Sequence, residues 1–192
     1  MKKSKTESAF CQLCNRGGLN RFAGKTTIPM KISDGIVLGR RSPAGVATAE
    51  FEVRFERRSD PEDFPWIYDS VPIVSDRMRA FLEANAPEQL EFLPIRATFR
   101  AKPLPGARYW IMVCRHIIEC IDFEQSTYSP IEGAPHRLSF SRIELFEPAV
   151  PKKVVIFRSE YDPFRIYIRD SFRKSLVASG LTGCQFYDVN IF

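Results

Sequence analysis

The sequence lacks the long apolar segments that mark membrane and secreted proteins. None of its apolar runs approaches the roughly 20 residues that a bilayer span requires, and the longest, Tyr109 to Cys114, has the length of one strand. The basic start of the chain, residues 1–10, is not followed by the apolar stretch of a secretory signal. We therefore expect a cytoplasmic protein with no membrane partner.

The sequence is also poor in residues and motifs that carry catalysis. It contains two histidines, His116 and His136, and neither belongs to a recognisable motif. The nucleophile elbow, the Walker loop, the dinucleotide fingerprint and His-Glu-x-x-His are all missing. Asp122 and Glu124 would share one strand face, and paired carboxylates can exchange protons or hold a metal, but an exposed strand edge or a turn explains them better. We expect no catalytic residues, and therefore not an enzyme.

The five cysteines do not form a disulfide framework, because their number is odd and a cytosolic protein is expected. Cys11 and Cys14 form a single C-x-x-C motif followed by two glycines, which has the form of half a zinc knuckle. Structural zinc takes four ligands, and no second C-x-x-C motif exists. The remaining ligands would have to come from Cys114, His116, Cys120 and His136. We expect no cofactor, with Cys11 and Cys14 as the candidate ligands if zinc is bound.

The net charge of +5 is concentrated in one part of a composition that is otherwise typical of a globular protein. Residues 1–48 carry nine Lys or Arg and two acids, whereas residues 49–192 carry 19 Lys or Arg and 21 acids. This asymmetry predicts a basic, weakly ordered N-terminal extension over residues 1–48 and a nearly neutral domain over residues 49–192. Because nucleic-acid readers usually carry basic residues across the folded body, we do not expect a nucleic-acid partner.

From residue 50 onward the hydrophobic pattern predicts a domain dominated by strands. Phe51, Val53 and Phe55 alternate with charged residues, which is typical of a half-buried strand. Within the extension, residues 25–32 are the one candidate strand region. Further strand-like runs, separated by turn residues, cover residues 89–99, 108–116, 118–123, 142–146, 154–158, 165–169 and 183–189.

Two segments have the pattern of short helices. Ser75 is a suitable N-cap for the first, in which Met78 and Leu82 share one face. The second covers residues 171–179 and is followed by Gly180, a residue type that often ends helices. Each helix lies between two strands, so we predict an α+β fold with mostly antiparallel or mixed β-sheet and two short capped helices in strand–helix–strand units. Five residues of the first unit recur at a constant offset in the second: Val74, Asp76, Arg79, Leu82 and Phe92 as Ile168, Asp170, Arg173, Leu176 and Phe186.

A series of short motifs runs from Asp63 to the end of the sequence. In order they are Trp66-Ile-Tyr-Asp69, Val74-Ser-Asp-Arg-Met-Arg79, Glu91-Phe-Leu-Pro-Ile95, Tyr109-Trp-Ile111, Ile121-Asp-Phe-Glu-Gln-Ser-Thr-Tyr128, Ile156-Phe-Arg158 and Gly180-Leu-Thr-Gly183 with Phe186. Their order and spacing resemble immunity protein family eleven of the bacterial polymorphic toxin systems, long catalogued as a domain of unknown function. Residues 1–48, with their C-x-x-C motif, fall outside the resemblance.

The resemblance implies a cytoplasmic, non-catalytic protein that binds and neutralises a cognate toxin encoded by a neighbouring gene. Such an inhibitor needs a rigid surface, on which buried aromatic and Arg anchors can supply most of the affinity. Trp66 and Tyr68, in a loop-like context, are the candidate partner-binding residues. The alternative is a small zinc-containing nucleic-acid-binding protein that uses the basic C-x-x-C segment.

Overall fold

The computed structural model describes residues 9–15, 24–28, 34–35, 51–55, 62–65, 67, 71–104, 106, 108–132 and 134–189. Two helices of this part of the chain are α1 (Asp76–Asn85) and α2 (Asp170–Ala178), and Glu147–Ala149 forms a 3₁₀ turn. The strands, in chain order, are β1 (Phe10–Asn15), β2 (Gly24–Thr26), β3 (Phe51–Phe55), β4 (Ile73–Ser75), β5 (Leu90–Phe99), β6 (Lys102–Pro103), β7 (Tyr109–Cys114), β8 (Ile117–Ile118), β9 (Thr127–Ile131), β10 (Ala134–Arg142), β11 (Ile156–Ser159), β12 (Ile166–Arg169) and β13 (Cys184–Asp188).

These strands form two larger sheets and one hairpin. The first sheet has the order β2-β3-β5-β7-β4, with β6 beside β5, and the second has the order β13-β1-β12-β11-β8. Strands β9 and β10 form the hairpin. The pairs β3–β5 and β8–β11 are parallel and the other pairs are antiparallel, so the predicted α+β class with mixed sheets is confirmed.

The two sheets and two helices share one hydrophobic core. Helix α1 contacts the first sheet and α2 contacts the second, and the rings of Phe81 and Phe172 meet between the helices with centroids 6.0 Å apart. Met112 of the first sheet and Ile168 of the second are both fully buried in this core. The outer face of each sheet buries a further cluster, one around Ile111 and one around Phe157. Burial on both sides explains why the central strands are rich in apolar residues.

The predicted strand–helix–strand units are present as β4–α1–β5 and β12–α2–β13. Ser75 caps α1 as predicted, because its hydroxyl accepts a hydrogen bond from the backbone N–H of Met78. Helix α2 begins one residue before the predicted position, at Asp170, and Gly180 follows it with a φ of 67°. Buried Leu82 and Leu176 occupy equivalent helix positions, so the repeated sequence pattern corresponds to equivalent packing.

The structure differs from the sequence predictions in several segments, among them the hairpin of β9 and β10, because no strand was predicted between residues 124 and 141. Residues Phe10–Asn15, assigned from sequence to a weakly ordered extension, form β1 between β12 and β13. Of residues 118–123, only Ile118 lies in a strand, β8, and Ile121 forms an isolated bridge with Leu145, while residues 142–146 otherwise contribute only the end of β10. The division of the chain at residue 48 into two parts stays a prediction.

No helix in the described part of the chain is both long and apolar enough to cross a membrane.

Candidate protein-binding surface

The residues that sequence analysis selected for partner binding, Trp66 and Tyr68, lie outside the described residues. Their role as a toxin-binding pair therefore stays a prediction. The surface has to be sought among the other exposed aromatic and charged side chains.

The C-x-x-C motif lies in a strand, not in the tight turn that a zinc knuckle requires. Cys11 and Cys14 sit at alternating positions of β1, which pairs without interruption with β13, so their side chains leave opposite faces of the sheet. Cys11 is buried in the shared core, and the Cys14 thiol lies 2.9 Å from the Gln12 amide nitrogen. Burial raises the pKa of Cys11 to about 12 and that of Cys14 to about 11. Neither thiol is therefore made easier to ionise by its surroundings.

Of the later cysteines, Cys114 and Cys120 are buried and Cys184 is partly buried. Burial raises the pKa of Cys114 to about 11 and that of Cys120 to about 12. His116 is partly exposed beside a pocket of about 400 Å³, and the side chain of His136 lies outside the described residues. In the part of the chain that the structure describes, no three His, Cys, Asp or Glu side chains are grouped to hold a metal ion.

The carboxylates of Asp122 and Glu124 have different roles. Asp122 Oδ1 accepts hydrogen bonds from the backbone N–H groups of Glu124 and Gln125, both at 3.1 Å, which fixes a turn. The Ser126 N–H closes the same turn by donating a hydrogen bond to the Asp122 carbonyl at 2.9 Å, and the Ser126 hydroxyl accepts one from the Glu144 N–H at 3.0 Å. Asp122 therefore anchors the segment that leads into β9, as the turn interpretation predicted, while Glu124 is exposed.

Several residues of the sequence motifs meet where the two strand–helix–strand units approach each other; we call Asp63, Ser75, Arg77, Gly180, Thr182 and Gly183 the helix junction. The buried carboxylate of Asp63 accepts hydrogen bonds from the Ser75 hydroxyl at 2.6 Å, the Thr182 N–H at 2.9 Å and the Thr182 hydroxyl at 3.1 Å. Arg77 forms an ion pair with Asp63 at 3.5 Å and donates a hydrogen bond to the Gly180 carbonyl at 2.7 Å. These motif residues thus join the two units and do not form a ligand site.

Gly183 allows the closest backbone approach at the helix junction. Its φ is 81°, and a Cβ atom there would lie 2.5 Å from the carbonyl oxygen of Phe64. Any other residue would therefore combine a left-handed backbone with a steric clash.

One partly exposed pair of an Arg and an aromatic residue is formed by Arg79 of α1 and Trp110 of β7. The guanidinium of Arg79 stacks 3.7 Å from the ring centroid of Trp110 and pairs with Glu83 at 2.8 Å. The indole N–H of Trp110 donates a hydrogen bond to Asp76 at 2.9 Å. Arg and Trp are enriched at the energetic centres of interfaces, but here their polar groups already have partners within the chain.

A second exposed group lies at the base of the β9–β10 hairpin; we call Phe123, Tyr128, Tyr161, Glu119, Glu124 and Glu160 the aromatic–acidic patch. The ring of Phe123 contacts Tyr128 and Tyr161 edge-on, with centroids 5.2 and 4.9 Å apart. Tyr128 also contacts Phe140, its cross-strand neighbour in β10, which is buried in the cluster around Phe157. The aromatic rings therefore form a continuous row from the core to the surface.

The negative charges of the aromatic–acidic patch have no cationic partner among the described residues. The Tyr161 hydroxyl donates a hydrogen bond to Glu119 at 3.2 Å, and Glu124 and Glu160 form no ion pair within the described ranges. The charge of Glu119 and the hydrogen bond to it, with a smaller contribution from Glu160, raise the pKa of Tyr161. This shift is the expected effect of an unbalanced negative field on a group that would itself become negative.

A buried arginine shapes the loop that carries Tyr161. Arg158, from the Ile156–Arg158 motif, is 1% exposed and donates a hydrogen bond to the carbonyl oxygen of Pro163. Burial lowers its pKa, because desolvation disfavours the charged form. Asp162 in the same loop accepts hydrogen bonds from Tyr167 at 2.6 Å and from Arg165 at 3.0 Å. The loop is thus fixed from both sides of Tyr161.

The aromatic–acidic patch has one signal in the sequence. Between Arg115 and Arg137 the sequence contains four acids and no Lys or Arg. The contribution of Tyr161 and Glu160 could not be read from that signal, because they lie on a different segment and reach Phe123 only through the fold.

Comparison with known proteins gave one family. A model described as "Immunity protein family (Imm11)" matches residues 31–190, which is most of the chain. No curated protein matches the sequence.

Proposed function

Because the chain belongs to the Imm11 immunity protein family, we propose that it is a non-catalytic immunity protein that binds a cognate polymorphic toxin and blocks its activity. The family match over residues 31–190 carries this proposal. We further propose that the toxin is encoded by a neighbouring gene and that the chain acts in the cytoplasm, without nucleic acid or membrane as a partner.

The arrangement of the motif residues supports a binding role over a catalytic one. The Asp63 carboxylate accepts hydrogen bonds from Ser75 and Thr182 at the helix junction, and Asp122 accepts hydrogen bonds from backbone N–H groups. A carboxylate whose lone pairs are occupied in this way serves poorly as a general base. A folded surface without reactive groups is sufficient for an inhibitor.

The alternative of a zinc-containing nucleic-acid-binding protein is less well supported. It requires the thiols of Cys11 and Cys14 to converge on one ion, whereas these residues lie on opposite faces of β1. We therefore propose no metal cofactor for this segment.

Co-expression tests the proposed function directly. The full chain is produced in bacteria together with the C-terminal domain of the toxin-like protein encoded by the neighbouring gene, and survival and complex formation are measured. We expect rescue of growth and co-purification of the two proteins at a fixed stoichiometry. A toxin domain from an unrelated system serves as the specificity control. Lack of both rescue and binding would refute the proposal.

A further inference from the structure

Strand β9 of the hairpin exposes two large hydrophobic side chains. They are Tyr128 and Ile131, two of the six such side chains that are exposed in the described ranges. Tyr128 is 44% exposed, although it is part of the row of rings that reaches the core. Exposed rings held by rigid packing lose little conformational entropy on binding, which favours their use as interface anchors.

One edge of the hairpin, on β9, has no neighbouring strand in the described part of the chain. All five residues of β9 are exposed, and in the described part of the chain β9 pairs only with β10. Pro130 in β9 lacks a backbone N–H, which weakens the strand as a template for edge-to-edge pairing. A partner at this surface is therefore expected to use side-chain contacts with the rings and carboxylates more than an added strand.

The uncompensated charge selects the chemistry of the partner. Glu119, Glu124 and Glu160 surround the rings without a Lys or Arg partner in the described ranges. By contrast, Arg79 beside Trp110 is already paired with Glu83. A surface that carries unpaired negative charge around exposed rings should bind most favourably to a partner that supplies Lys and Arg. Opposite charges speed association and also stabilise the complex once it has formed.

We propose that the aromatic–acidic patch is the toxin-docking surface of this protein, and that it receives a Lys- and Arg-rich surface of the toxin domain. This inference rests on the proposed function and adds to it the location of the interface and the charge of the partner. Tyr128 acts as the central anchor, Glu124 and Glu160 attract the basic side chains, and Phe123 supports the anchor from beneath.

A matched pair of double variants tests the location. The patch variant carries Tyr128→Ser and Glu124→Lys, and the control carries Val177→Ser and Glu88→Lys, which likewise change one exposed apolar residue and one exposed acid. The dissociation constant for the toxin domain encoded by the neighbouring gene is measured with the full chain. We expect the patch variant to bind about 30-fold more weakly or worse, whereas the control binds like the unmodified chain.

The salt dependence of the association rate tests whether the partner surface is positively charged. The association rate of the unmodified chain should fall as the sodium chloride concentration is raised, and this fall should be smaller for the patch variant.

If the unmodified chain binds and both variants bind equally well, the docking assignment is wrong while the proposed function stands. If the unmodified chain neither binds nor rescues, the proposed function itself fails and the docking assignment fails with it. A change in self-association of the patch variant in sedimentation would instead assign the patch to a second copy of this chain and overturn the inference.

Discussion

At the helix junction the carboxylate of Asp63 is buried and accepts hydrogen bonds from Ser75 and Thr182. At the aromatic–acidic patch the carboxylate of Glu124 is exposed and forms no ion pair with any described residue. Both regions contain residues of the family-like motifs, yet one satisfies its charge internally and the other presents its charge to solvent.

This difference separates two reasons for which a motif residue can matter. Removing a buried hydrogen-bond acceptor leaves its donors without a partner and without access to water, and this lowers the free energy of unfolding. Removing an exposed acid leaves nothing unsatisfied in the free protein, so any cost appears only in binding. Stability and affinity measurements on the same variants should therefore divide the motif residues into two groups.

The largest loss of stability is expected for Gly183→Ala at the helix junction. The added Cβ would meet the Phe64 carbonyl at 2.5 Å while the backbone keeps a φ of 81°. We expect the free energy of unfolding to fall by about 3–4 kcal/mol, measured by urea denaturation. Gly106→Ala is the control, because Gly106 also has a positive φ, 74°, but nothing lies within 4 Å of the added carbon. It should lose only about 1–2 kcal/mol, and equal losses would contradict the close packing at Gly183.

A smaller but still substantial loss is expected for Asp63→Ala. The Ser75 hydroxyl and the Thr182 N–H would lose their acceptor in a site that water reaches poorly. We expect a loss of about 2–3 kcal/mol in the free energy of unfolding. Arg77→Ala removes the exposed partner of the same carboxylate and should cost at most about 1 kcal/mol. If Arg77→Ala were the more damaging change, the stabilisation would lie in the ion pair and not in the buried hydrogen bonds.

At the aromatic–acidic patch the combined change Tyr128→Ser and Glu124→Lys should lower the free energy of unfolding by less than about 1 kcal/mol. Tyr128 loses its ring contacts with Phe123 and Phe140, but the exposed carboxylate of Glu124 leaves no unsatisfied group behind. Thermal melting of the full chain measures this loss of stability as a fall in the melting temperature. A loss as large as that of Asp63→Ala would show that the patch also has a structural role.

The smallest effect is expected for Asp170→Asn at the start of α2. Hydrogen bonds from Lys174 and Arg173 lower the pKa of Asp170 below its ordinary value of 3.8. Because the folded-state pKa is the lower one, this stabilisation is present above pH 4 and disappears as the pH falls through the folded-state pKa. Solvent screening limits it to about 0.5 kcal/mol. Unfolding measured at neutral and at acidic pH should therefore differ between Asp170→Asn and the unmodified chain only at neutral pH, and 1 M salt should reduce the difference.

The sequence predicted best those elements whose signals are local. Alternation of Phe51, Val53 and Phe55 predicted β3, and the Ser75 cap predicted the start of α1. Strand β1 was missed because its burial depends on pairing with β12 and β13, which are distant in sequence, and because the C-x-x-C spacing suggested a turn.

The candidate surface was also hard to predict, because it too depends on contacts between segments that are distant in sequence. The acid-rich, cation-free run between Arg115 and Arg137 is visible in the sequence. The contact that brings Tyr161 against Phe123 is not, because it depends on a loop that buried Arg158 and Asp162 hold in place.

The position of β1 also sets an order for folding during synthesis. Phe10–Asn15 is synthesised before both neighbours of this strand, β12 and β13, which lie about 150 to 180 residues later in the sequence. Until then Cys11 and Leu13 have no sheet to complete, so the second sheet can close only after β13 has emerged from the ribosome. Contacts between such distant segments slow folding and leave apolar surface exposed in the meantime. A nascent chain of this protein should therefore depend on chaperones until β13 is available.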